Sequence, residues 1–217
     1  ARAVERAWAA GIVVVAASGN DGWNSATGGM TNPALDPYVI AVSAAQPKGD
    51  GFTIPKWASA GEYFSYDALG RKIPYWMPGF AGRLPDVVAP GASIDSLRVP
   101  GSRIDVEHPE GHVSDTLFRG SGTSQAAAVV SGAVALLLDD RPHLSPDEVK
   151  ALLRTTADPI RNWGEAYQGQ GVIDVAAAAA APRPLLADQL WPSSSGMGSL
   201  EEARGTQHVV IHGEVLD

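Results

Sequence analysis

Cysteine is absent from all 217 residues, which excludes disulfides, thiolate chemistry and cysteine-based zinc sites together. That absence leaves the compartment open, since many secreted bacterial proteins also lack the residue. Charge is scarce as well: charged residues make up 18% of the chain, and 24 acids against 16 bases leave a net charge of −8. No Lys/Arg cluster relieves this balance, so a phosphate backbone would be repelled and nucleic acid is not an expected partner. Long apolar runs are lacking too. The alanine run at 176–181 is far too short to cross a bilayer, and no basic-then-apolar leader opens the chain.

What is present is the material of a globular α/β domain. Apolar residues reach 45%, while 24 Gly and 16 Pro imply many tight turns and loops, where functional residues tend to sit. The chain opens on Ala1, and residues 1–10 read as an amphipathic helix entered in mid-course, with Val4 and Trp8 on one face and Gly11 as its stop. The expectation is a fragment whose natural sequence begins earlier. Ile12-Val13-Val14-Val15-Ala16-Ala17 follows, a continuous apolar run of the kind buried on both faces of a parallel sheet. Tyr38-Val39-Ile40-Ala41-Val42-Ser43 and Asp86-Val87-Val88-Ala89-Pro90 are further strands, the former after turns at Gly28-Gly29, Asn32-Pro33 and Asp36-Pro37. Residues 46–83 read as surface loops with a hairpin.

Residues 123–138 lack proline and are rich in Ala, Val and Leu, which predicts a helix apolar all round and buried in the core. The exposed acids Asp139 and Asp140 read as its solvated end. Ser145-Pro146-Asp147-Glu148 carries an N-cap, a first-turn proline and a capping-box glutamate, and Val149, Leu152 and Leu153 form the stripe of a helix outside the sheet. Asp174 caps a short alanine helix to Ala181. After Pro182 the composition shifts to Pro, Ser and Gly, and then to His208-Val209-Val210-Ile211, so residues 1–181 are expected to form the domain and 182–217 a linker with the start of an extension.

The chemistry concentrates in Gly120-Ser121-Gly122-Thr123-Ser124-Gln125, small residues leading into a helix. A serine in the first turn lies beside unpaired backbone N–H groups and the positive end of the helix dipole, which stabilise negative charge developing next to its hydroxyl. The plain alternative is that Thr123 or Ser124 is only an N-cap. Ala16-Ala17-Ser18-Gly19-Asn20-Asp21-Gly22 sets an asparagine at the carboxyl end of a strand, where parallel α/β folds place functional groups. Its alternative is an ordinary turn residue tolerating left-handed geometry.

Together with Asn32-Pro33-Ala34-Leu35-Asp36-Pro37-Tyr38 and Pro85-Asp86-Val87-Val88-Ala89-Pro90-Gly91, these segments resemble the subtilase family of serine proteases in order and spacing. The likeness runs on through Leu144-Ser145-Pro146 and Gly169-Gln170-Gly171-Val172-Ile173-Asp174-Val175, covering most of residues 3–180. It implies an α/β fold of three layers, α/β/α, with a mostly parallel sheet, truncated at its N-terminus. It places the nucleophile on Ser124 and the oxyanion asparagine on Asn20, with Ala16, Ala17, Ser18 and Gly19 as one wall of the pocket for the residue before the scissile bond and Thr31 to Pro33 near its floor. The triad aspartate and histidine precede the asparagine strand in this family, so they are expected upstream. None of the five histidines, His108, His112, His143, His208 and His212, stands in a matching motif, and His112 reads as a solvated loop residue. Without a general base a serine hydroxyl is a weak nucleophile, and loss of the histidine costs subtilisin about 10⁶ in turnover; the fragment alone is expected to be nearly inactive. Ala128 stands where the family most often has proline, and alanine keeps the helix intact.

The resemblance further implies protein or peptide substrates, an upstream propeptide and an extracellular or cell-surface location. No cofactor is required, calcium being at most a structural ion, with carbonyls near Ala34 offering a weak cation site. Two rivals stand beside this reading. Gly120-Ser121-Gly122 imitates a dinucleotide fingerprint, but Gln125 holds the place of its third glycine and no clear strand is read just before it. A peptide-binding pseudoprotease without an upstream histidine would keep the same fold.

Overall fold

Gly11 ends the first helix with φ +86°, a left-handed turn that a side chain would strain. In the computed structural model, which describes residues 2–22, 29–61, 64–66, 69–74, 82–197, 210–211 and 214–215, that helix is α1 (Arg2–Ala9). Strand β1 (Val15–Ala17) pairs in parallel with β2 (Ile40–Lys48), Val15 opposite Ile40, and β2 pairs in parallel with β6 (Val87–Pro90), Val42 opposite Val87. The far end of β2 turns back into β3 (Gly51–Thr53), an antiparallel hairpin. β4 (Phe64–Tyr66) and β5 (Lys72–Pro74) form the second hairpin of the 46–83 segment. A bridge from Val88 to Val172 continues the parallel sheet beyond β6.

Pleating divides the core. Ile40, Val42 and Ala44 face the long helix α3 (Thr123–Asp140), and Val149, Leu152 and Leu153 of α4 (Pro146–Thr155) and Ala178 of α6 (Val175–Ala180) join the same cluster. Val39 and Ala41 point the other way, to Met30, Ala34 and Val4. The fold is therefore α/β with a mostly parallel central sheet. Both caps read from the sequence are present: Ser145 Oγ and Glu148 exchange reciprocal bonds at the start of α4, and Asp174 accepts from Ala177 N at 2.8 Å.

Two expectations need correction. The first apolar run is a strand only from Val15, because its ladder begins where Ile40 N reaches Val14 O at 2.8 Å; Ile12 is 58% exposed. The long helix is not buried all round. Val130, Val134 and Leu137 pack on the sheet, but Ser131, Gly132, Ala135 and Leu136 face solvent, since nothing in the described residues covers them.

Residues 183–195 lie against α4, Tyr38 and α1. Arg183 pairs with Glu148, Gln189 Nε2 donates to Asp147 at 2.8 Å, Tyr38 Oη donates to Trp191 O, and Ser194 N donates to Glu5 at 2.9 Å. Strands β9 (Val210–Ile211) and β10 (Glu214–Val215) pair with each other, whereas Gly28, His208, Val209 and His212 lie outside the described residues.

Between the sequence blocks runs an excursion that periodicity did not resolve. β7 (Ile94–Leu97) and β8 (Leu117–Gly120) form an antiparallel pair, and between them lies the short helix α2 (Arg103–Glu107).

Candidate active site

The nucleophile candidate enters α3 without being its cap. Gly122 is the N-cap residue and supplies no side chain, so Thr123 and Ser124 occupy the first two helical positions. The missing cap comes from the end of β1: Asn20 Oδ1 accepts the Thr123 amide at 2.9 Å and the Thr123 hydroxyl at 3.0 Å. Thr123 Oγ1 also accepts from the Gly19 N–H at 3.2 Å, and its single proton is shared between Asn20 Oδ1 and the Gly19 carbonyl, the latter at 3.2 Å. The N-cap alternative for Ser124 or Thr123 is thereby set aside. So is the left-handed turn alternative for Asn20, because the described residues with positive φ other than glycine are Ser93 and Asn162.

This lock leaves two donors at the joint between Asn20 and the start of α3. With Oδ1 committed to Thr123, the Nδ2 end of the Asn20 amide is the half left to donate. The Ser124 N–H has no acceptor within its helix, because the second position of any helix lacks one. Both Ser124 and Asn20 are exposed. An anion arriving there meets the positive end of an 18-residue helix.

Glycines set how closely the pieces meet. A Cβ on Gly19, whose φ is +117°, would stand 2.9 Å from Ser59 Oγ and 3.2 Å from Thr31. A Cβ on Gly91 would stand 2.8 Å from Gly122 O and from Ala44 Cβ, and Gly122 N donates to Gly91 O at 2.8 Å. The helix start is thus pressed against the end of β6.

The proposed wall residues lie together. Thr31 N donates to Ser18 O at 2.9 Å, which seats the exposed Thr31 and the cis Asn32-Pro33 bond beside the 16–19 backbone. Ala16 is buried and Ala17 half-buried. Ser18, expected in the wall, is instead fully buried: its hydroxyl donates inward to Ser59 O at 3.2 Å, its N–H to Val42 O at 2.8 Å, and its carbonyl accepts from Thr31 N. Ser59 and Thr123 carry this geometry and were not singled out from sequence; Ser59 has no sequence signal, while Thr123 sits inside the motif.

Two of the described histidines, His108 and His112, are engaged elsewhere. His112 is an exposed loop residue, as read from the sequence, with Nε2 2.7 Å from Asp105 Oδ1 and its ring edge-on to Phe118. His108 pairs with Glu110 at 2.9 Å. A strand, β8, does precede Ser121, contrary to the sequence reading, but its partner β7 is antiparallel, so the parallel unit of a dinucleotide site is not formed.

A buried lysine lies at the start of β2. Lys150 Nζ donates to Pro37 O at 2.7 Å, Val39 O at 2.9 Å and Gln189 Oε1 at 3.1 Å, and lies 3.3 Å from Asp86 Oδ2. Burial pulls this ammonium down to about 8, against the opposing pull of Asp86. Arg83 forks onto the same carboxylate, and Arg154 approaches it. Among the described residues no cluster of three or more His, Asp or Glu is arranged to hold a metal, and no helix is long and apolar enough to cross a membrane.

Comparison with known proteins places this geometry in context. The profile of the Subtilase family (Peptidase_S8) matches residues 1–198. Serine protease AprX of Bacillus subtilis is 36% identical over 177 residues, 80% of this chain and 36% of that protein. Subtilisin DY of Bacillus licheniformis is 33% identical over 179 residues, 82% of this chain and 50% of that protein. The crystal structure of fervidolysin from Fervidobacterium pennivorans superposes with a TM-score of 0.62 at 28% identity, over 84% of this chain and 24% of that one. The chain thus spans between about a third and a half of the curated relatives just named.

Proposed function

Because the chain belongs to the subtilase family, we propose that it carries the nucleophile of a serine endopeptidase, Ser124, and the oxyanion-hole amide of Asn20. The supporting observation is the Asn20–Thr123 lock, which engages the acceptor end of the amide at the residue next to Ser124 and leaves its Nδ2 end to donate. In the reaction Ser124 Oγ attacks a peptide carbonyl while a histidine supplied upstream takes its proton and an upstream aspartate orients that histidine. The carbonyl oxygen, now an anion, sits between the Ser124 N–H and Asn20 Nδ2; the histidine then gives the proton to the departing amine, the C–N bond breaks and an acyl-enzyme remains. Residues 16–19 and Thr31 to Pro33 hold the residue before the scissile bond.

This chemistry requires no cofactor, and calcium enters only as a structural ion of the intact protein. Residues 1–181 form the C-terminal part of the catalytic domain, 182–217 a linker and the start of an extension, and the intact protein is extracellular or at the cell surface with a propeptide upstream. The test is a fluorophosphonate probe applied to the intact protein. Wild type labels and Ser124→Ala does not if the proposal holds; a folded wild type that fails to label points to a peptide-binding pseudoprotease.

A further inference from the structure

The 94–120 excursion builds a cleft of about 720 Å³ whose lining includes both its own apolar residues and the serine turn itself. Leu97, Val99 and Ile104 lie on one part of this lining and are 82%, 65% and 57% exposed, while Gly120, Ser121 and Gln125 lie on another. Ser121 Oγ accepts from Ser93 N at 2.8 Å, which fastens the turn to the strand that carries Leu97. The floor is fixed: Phe118 packs so close to Gly111 that a Cβ there would fall 2.4 Å from its ring.

The charged groups of the lining are already satisfied. Arg98 and His112 hold Asp105, whose carboxyl lies well below its usual range chiefly through the Arg98 hydrogen bond. His108 holds Glu110, and Arg119 forks onto Asp95. An occupant therefore finds exposed hydrocarbon with its neighbouring charges paired off, which suits an apolar side chain and disfavours a charged one.

The cleft meets the serine turn at Ser121 and Gln125, whereas the wall of Gly19 and Thr31 meets it at Thr123. We infer that this cleft binds the leaving-group side of a polypeptide substrate, taking a large apolar side chain from among the first residues after the scissile bond. The assignment of side rests on the proposed role of residues 16–19.

The test profiles the cleavage sites of a peptide library by the intact protein with mass spectrometry, comparing wild type with Leu97→Asp and Ile104→Asp. Both positions are exposed, so neither variant removes buried packing, and matched melting temperatures check the fold; Leu186→Asp, at a position 99% exposed on the C-terminal segment, is the control. The expected result is a preference for Leu or Phe after the scissile bond that falls about tenfold in the two cleft variants, with preference before the bond and fluorophosphonate labelling unchanged. An unchanged preference after the bond in labelled enzyme overturns the cleft while leaving the nucleophile standing. If wild type does not label, fluorescein-labelled decapeptides carrying Leu, Phe or Asp are titrated by anisotropy: weaker Leu and Phe binding in the cleft variants keeps the cleft without the protease, and equal binding removes it.

Discussion

Asn20 and Thr123, 103 residues apart in sequence, are joined by two hydrogen bonds to one oxygen, Asn20 Oδ1. The carboxamide is thereby fixed in orientation by the first residue of α3.

That relationship separates two roles within one side chain. Asn20→Asp retains an oxygen for both Thr123 donors and loses only the amide N–H₂. Its melting temperature should stay near wild type while kcat of the intact protein falls about 10²–10³-fold, the range known for subtilisin's oxyanion asparagine and adopted here from it. A large loss of stability with unchanged kcat would show that the residue merely caps the helix.

Lys150→Met removes the ammonium from the oxygens of Pro37, Val39 and Asp86 while keeping most of the hydrocarbon stem. Breaking a buried ion pair on one side costs about 3 kcal/mol, so the urea midpoint should drop clearly, while Ser124 labelling below that midpoint persists. Stability equal to wild type would mean that Arg83 and Arg154 suffice for Asp86.

Glu148 gives a pH dependence with a defined sign. The Arg183 hydrogen bond first, and then the Ser145 backbone N–H, hold its carboxyl at about 2 against an ordinary 4.5. Its stabilisation is complete above pH 4.5 and disappears as pH falls through 2. Arg183→Gln should lower the melting temperature modestly above pH 4.5, flatten its decline over that window and converge on wild type at the acid end; identical slopes in the two proteins would refute the assignment.

The sequence disclosed what local rules dictate. β2 and β6 were legible as continuous apolar runs, and α4 from Ser145, Pro146 and Glu148, because each signal lies within a few residues of the structure it makes. Ser124 and Asn20 were legible only through the company of their motifs. Hidden were the relationships that span the chain. Lys150 reads as a polar position on an amphipathic helix, yet it is 3% exposed because three carbonyl-type oxygens and a carboxylate from elsewhere surround it. The solvent face of α3 was misjudged because its small residues resemble core in composition, although composition alone does not say what covers them. The 94–120 excursion has no regular period and so announced neither its hairpin nor its cleft.

The contact at Gly91 bears on alignment tolerance. Gly122 is keyed to the end of β6, and Thr123 to the end of β1, so the serine takes its coordinates from two sheet strands rather than from a free loop. A displacement of one ångström at a reacting group can cost about 10²-fold in rate. Replacing Gly91 by even alanine would force the start of α3 or Ala44 to move. Substitutions in the sheet far from any substrate can therefore detune the serine while the rest of the molecule stays sound.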